Sequence, residues 1–162
     1  MQILFFILIL FSGIGAEVNP YTQYVAEGPS MEPTISPGDK LRVDKEYYKT
    51  NSFERGDIVV FFTPSGEQYF KRVIGLPGES VKIQNDKLYI NDQIQDEPYI
   101  QEEIKNRHKV GDRYTLDFAE QKVPKHAIFV LGDNRSNSLD SRSFGTIKIE
   151  KVIGKVEDTK HK

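Results

Sequence analysis

Two residues in this chain, a serine and a lysine, are of types that can do chemistry together. Ser30 sits in "VAEGPSMEPT" (25–34), between a proline and a methionine, with a second proline three places on. A serine hemmed in this way is poorly suited to a helix interior and reads as part of a rigid loop. If it is a nucleophile, something must take its proton. Histidine, the usual base, is scarce: there are three, His108, His126 and His161. His161 is in the tail, His108 falls in a polar stretch, and His126 opens a strand, where a packing role is the plainer reading. Lys71 is the alternative, since burial among apolar groups lowers a lysine pKa by several units and leaves a neutral amine. It lies inside "YFKRVIG" (69–75), and alternation puts it on the face opposite Phe70 and Arg72. A lysine on an edge strand, its stem packed and its ammonium in water, remains the competing reading of this stretch alone.

The third polar stretch is "LGDNRSNSLDSRSFG" (131–145), where two Asp, two Asn, two Arg and four Ser crowd into fifteen residues. Such density usually builds a turn that satisfies its own backbone. Asp140 and Arg142 can pair as a brace there, and Ser138 can reach a neighbouring site. A calcium-loop reading fails, because Arg135 takes a ligand position and Ser138 stands where glycine is required. No two histidines have zinc-ligand spacing. "NRS" and "RGD" are too short to carry glycosylation or adhesion.

Strand signals dominate the elements that must hold these residues. "KLRVD" (40–44) alternates, and "DIVVFF" (57–62), "YFKRVIG" (69–75) and "HAIFVLG" (126–132) are short runs suited to a buried sheet. Leu76-Pro77-Gly78-Glu79 predicts a type II turn, and "SVKIQNDKLYIN" predicts a hairpin turning at Asn85-Asp86. "IEKVIGKVED" supplies one more strand. Residues 92–125 are polar and poorly periodic. We read them as a small inserted lobe, with "PYIQEEIKNRHK" a short helix or irregular arm and "DRYTLDF" a possible strand. The expected fold is mainly β, with antiparallel sheets and low helical content.

The 162 residues suit one domain, and a net charge of −2 with dispersed lysines and arginines excludes a nucleic-acid partner. Absence of cysteine excludes disulfides, thiolate zinc sites and thiol catalysis. Residues 1–16, "MQILFFILILFSGIGA", carry no charge and predict an N-terminal hydrophobic helix or leader. As a helix they reach about 24 Å, short of the roughly 30 Å hydrocarbon core. We read them as an uncleaved anchor, with 17–162 an extracytoplasmic β domain.

Together these stretches resemble the type I signal peptidases, membrane-bound serine proteases that remove signal peptides. "GPSMEPT" is similar to that family's nucleophile box, "RGDIVVF" to its next strand, and "FKRVIGLPGE" to its lysine box. "GDNRSNSLDSRSFG" is similar to its final box. The likeness runs in order over residues 24–156. It implies the signal-peptidase β fold, with Ser30 as nucleophile and Lys71 as general base. Ser138 is then expected to hydrogen-bond the lysine, with Asp140 and Arg142 as a supporting pair. Gly28, Met31, Tyr69 and Phe70 are expected at the oxyanion and substrate subsites. The resemblance further implies no metal or cofactor, signal peptides of exported pre-proteins as substrates, and a monomer. It also implies a single-pass anchor in the lipid of a bacterial plasma membrane. One departure is Gly28, where some members carry a serine that helps bind the oxyanion. A self-cleaving repressor-type Ser–Lys protease shares the dyad but needs a DNA-binding domain. A silent peptide-binding β domain has no use for both Ser30 and Lys71.

Overall fold

The computed structural model describes residues 19–160, so the hydrophobic helix expected over 1–16 lies outside the described residues. Among the described residues no helix is long and apolar enough to cross a membrane. The chain forms strands β1 (Tyr21–Val25), β2 (Lys40–Asp44), β3 (Ile58–Phe62), β4 (Gln68–Gly75), β5 (Ser80–Gln84) and β6 (Lys87–Ile90). After these come β7 (Gln93–Gln95), helix α1 (Gln101–Lys109), β8 (Phe118–Lys122), β9 (Ala127–Leu131), β10 (Ile147–Lys148) and β11 (Val152–Lys160). Single-turn helices stand at Tyr47–Thr50 and Ser141–Phe144.

Seven strands make one antiparallel sheet in the order β1-β2-β11-β3-β4-β9-β10. Its alternation is clearest in β2, where Leu41 and Val43 are buried while Lys40 and Arg42 face water. β4 lies between β3 and β9, so both of its edges are paired, and from Lys71 onward the residues on both of its faces are buried. The register sets Lys71 opposite Val59 and Arg72 opposite Leu131. The 76–79 turn forms as expected: Glu79 N–H donates to Leu76 O at 3.1 Å, and Gly78 takes φ +85°.

A second, four-stranded sheet has the order β7-β6-β5-β8. The hairpin turns at Asn85 and Asp86, both at positive φ, as a tight right-twisted turn requires. The polar stretch at 92–125 therefore pairs with this hairpin in one sheet. "PYIQEEIKNRHK" supplies α1, and the strand near "DRYTLDF" begins only at its last residue, Phe118. Ile74, Val81, Leu88, Phe129 and Leu131 form a common core between the two sheets. Burying such side chains contributes roughly 1.5–3 kcal/mol each before chain entropy is counted. Ile100, Ile104 and Tyr114 make a smaller cluster that seats α1.

Candidate active site

The segment between β1 and β2 is a tight loop stitched to itself. Ala26 N–H donates to Asp39 O at 2.9 Å, Gly38 N–H to Ala26 O at 2.7 Å, and Ile35 N–H to Met31 O at 2.9 Å. Beneath it Met31 and Ile35 are fully buried against Leu41 and Val43. This apolar plug leaves Ser30 half-exposed at the loop surface, facing the start of β4.

Lys71 Nζ lies 2.7 Å from Ser30 Oγ and donates to Phe70 O at 3.0 Å. The lysine is 3% exposed. Burial lowers its pKa from 10.5 to about 8, against an opposing pull from the Asp140 and Asp133 carboxylates. Among the described residues no carboxylate forms an ion pair with it. The rings of Tyr69 and Phe70 lie 5.1 and 5.7 Å from the amine, within cation–π range. This arrangement can move a proton from a hydroxyl to an amine near neutral pH.

A cleft of about 470 Å³ opens over the pair, lined among others by Val25, Gly28, Val60, Tyr69, Phe70 and the exposed Leu139. Its walls are the end of β1 and the start of β4, so an extended chain can lie between two strands. Gly28 has open space where a Cβ would stand. Met31, expected on the cleft wall, is instead entirely inside, because its side chain fills the plug that supports the loop.

The 132–142 segment closes the site from behind. Asp140 accepts from Gly132 N–H at 3.0 Å and from Arg142 Nε and Nη2 at 2.8 Å, so the expected Asp140–Arg142 pair is formed. Arg142 also donates to Arg135 O at 2.8 Å. The expected bond from Ser138 to the lysine is not made: Ser138 Oγ is buried without a partner, packed against Gly132. The amine's hydrogen bonds go to Ser30 and Phe70 instead. Asn134 grips the nucleophile loop, its N–H donating to Ser30 O at 3.1 Å and its Nδ2 to Pro29 O at 3.2 Å.

Sequence reasoning missed the charged groups around this core. Arg72, beside Lys71, donates to Asp133 through Nε at 2.9 Å and Nη2 at 2.6 Å. Thr34 of the nucleophile loop donates to the same carboxylate. The available signal was an arginine next to the lysine and an aspartate opening the serine-rich stretch. Of the histidines, His108 meets Asp86 at 2.8 Å on the second sheet, away from Ser30, and His161 lies outside the described residues.

A family model described as signal peptidase, peptidase S26, matches residues 1–159. The chain belongs to the signal peptidase family. It is 43% identical over 145 residues to signal peptidase IB of Staphylococcus aureus strain COL, covering 83% of this chain and 75% of that one. It is 44% identical over 142 residues to signal peptidase I of Bacillus caldolyticus, covering 85% of this chain and 78% of that one. The crystal structure of a signal peptidase I from Enterococcus faecalis V583 matches with TM-score 0.61 and 40% identity, over 65% of this chain and 97% of that one. Membership of the signal peptidase family makes this chain a serine peptidase, and its curled antiparallel sheets have the signal peptidase I fold.

Proposed function

We propose that the protein is a type I signal peptidase in which Ser30 is the nucleophile and Lys71 its neutral general base. On this reading it cleaves N-terminal signal peptides from exported pre-proteins after small residues at −1 and −3. The observation that carries this reading is the buried Lys71 amine, 2.7 Å from Ser30 Oγ and without a carboxylate partner among the described residues. One amine N–H donates to Phe70 O, and a neutral amine keeps a lone pair that can accept the serine hydroxyl proton.

The signal peptide lies extended between β1 and β4, with its main chain bonding as an added strand does. Tyr69, Phe70 and Val60 shape the shallow subsites that admit small side chains. Lys71 takes the Ser30 proton as Oγ bonds to the scissile carbonyl carbon. The carbonyl oxygen gains the negative charge beside the Ser30 backbone N–H, a donor with no acceptor among the described residues. Collapse breaks the C–N bond, and the Lys71 ammonium gives its proton to the departing amine. A water then loses its proton to Lys71 and attacks the ester carbonyl, and as the C–O bond breaks the Lys71 ammonium returns that proton to Ser30 Oγ. The ammonium formed in each half-reaction is held by the rings of Tyr69 and Phe70 and by the nearby Asp140. Asp140 and Arg142 brace the segment behind the lysine, with Ser138 packed beside it.

Residues 1–16 anchor this single domain as a monomer on the outer face of a bacterial plasma membrane, where its substrates emerge. The test is cleavage of a pre-protein by wild type, Ser30→Ala and Lys71→Ala. Loss of processing in both variants is expected, and wild-type rates in either remove the assignment. Mass spectrometry of the amino terminus after membrane fractionation tests the anchor, which predicts residues 1–16 still attached to the β domain in the membrane pellet.

A further inference from the structure

Glu97 lies between β7 and the helical turn at Pro98–Ile100, in the inserted 92–125 segment, and is 4% exposed. A carboxylate this deep needs partners. Arg135 Nη1 donates to it at 3.1 Å, and Nη2 forms a second, closer contact. The Tyr99 hydroxyl donates at 2.7 Å. Arg135 is itself 3% exposed, and its remaining nitrogen, Nε, donates to Gly132 O at 3.0 Å. Arg135 therefore ties the two ends of the 132–135 turn together.

That turn holds the backbone of the serine. Asn134 N–H donates to Ser30 O, and Gly132 lies so close that a Cβ there would come within 2.4 Å of the same oxygen. Glu97 reaches the other half of the site as well. The ring of Tyr99, whose hydroxyl it accepts, lies 3.9 Å from the Arg72 guanidinium carbon. Arg72 adjoins Lys71 in β4 and fixes Asp133 with two hydrogen bonds. A single carboxylate from the second sheet thus touches the supports of both the loop bearing the hydroxyl and the strand bearing the amine.

We propose that Glu97 is a positioning residue for the Ser30–Lys71 pair, acting through Arg135 on the 132–135 turn that holds the Ser30 backbone. This rests on the Ser–Lys reading above. Replacing the charge leaves a buried, unpaired guanidinium that must move or recruit water, and the turn moves with it. Reacting groups displaced by about 1 Å lose on the order of 100-fold in rate.

The experiment measures kcat and KM separately for pre-protein cleavage, well below the melting temperature, with folding checked by near-UV circular dichroism. Glu97→Gln is expected to lower kcat by about 10–100-fold with KM held within about twofold. Glu102→Gln, on the exposed face of α1 in the same lobe, leaves both constants unchanged. Combining Glu97→Gln with Asn134→Ala, which removes the side-chain bond to Pro29 O, is expected to cost less than the product of the single losses, since both loosen the same grip of the 132–135 turn on the nucleophile loop. A folded Glu97→Gln protein with wild-type kcat, a change confined to KM, or fully multiplicative losses would each overturn the proposal. Should Glu97→Gln fail to fold, Tyr99→Phe, which removes one donor to the same carboxylate, decides the matter. It is expected to lower kcat severalfold, and an unchanged kcat sinks the inference. Ser30→Ala keeps the two ideas apart: if it is inactive while Glu97→Gln is fully active, the protease reading stands and the positioning role falls.

Discussion

Replacing Lys71 with Met tests the central claim by stability rather than activity. Burial lowers the Lys71 amine from 10.5 to about 8. At about 1.4 kcal/mol per pH unit, holding it charged costs the folded protein about 3 kcal/mol below pH 8. Between about pH 8 and 10.5 the unfolded chain binds this proton and the folded chain does not, so the group makes stability rise with pH through that window. Methionine has a similar length and no charge to desolvate. Ser30 is half-exposed and can turn to water, so the lost bond to Phe70 O is the main offset, at up to about 1 kcal/mol. Lys71→Met should therefore be more stable than wild type by about 2–3 kcal/mol at pH 7, with the difference closing toward pH 10.5. Urea unfolding of both proteins from pH 6 to 10 measures this directly. In parallel, wild-type kcat/KM should climb about tenfold per pH unit and level off near pH 8, while the variant is inactive. A variant less stable than wild type at pH 7, or a difference flat across the range, would show that the amine is not desolvated and would refute the reasoning.

Other substitutions probe the surrounding geometry. Gly28→Ser should be accommodated without strain, since nothing lies within 4 Å of its Cβ position, and should raise kcat by up to about 100-fold if its hydroxyl reaches the oxyanion. Steady-state kinetics on a pre-protein decide this, and an unchanged kcat means the hydroxyl points elsewhere. Gly132→Ala puts a methyl 2.1 Å from Ser138 Oγ and 2.4 Å from Ser30 O, so activity should fall at least about 100-fold even where the protein folds. Arg72→Lys cannot keep two hydrogen bonds to Asp133 and stacking on Tyr99, and should cost about 3 kcal/mol by thermal or urea unfolding.

Much of the main sheet was legible because its strands carry their own signals. "KLRVD" alternates, and the structure returns a strand over those same residues. Asn85-Asp86 announces its turn because few other residues tolerate two successive positive φ values. The extent of the second sheet was harder to read. Its outer strand β7 has three residues, and β8 is a largely exposed run of mixed charge with no periodic pattern. Ser30 and Lys71 stood out by residue type and local setting. Arg72 did not, for its burial depends on Asp133, 61 residues away, and on a tyrosine from the inserted segment. Glu97 is likewise ordinary in sequence and becomes special only when Arg135 arrives, 38 residues on. Met31 misled because adjacency to a reactive serine says nothing about which way its neighbour's side chain turns.

Lys71 and Arg72 are adjacent cations with opposite fates, one starved of counter-charge and the other saturated with it. A guanidinium stays protonated throughout the physiological range, so the two are chemically irreplaceable by each other. Sliding β4 by one residue in one direction would present Arg72 to Ser30, and sliding it in the other would turn the Lys71 amine toward Asp133. The pairing of Lys71 with Val59 and of Arg72 with Leu131 is thus a reading frame for the enzyme. A sheet that misassembles by a single step would keep every side chain and lose its chemistry.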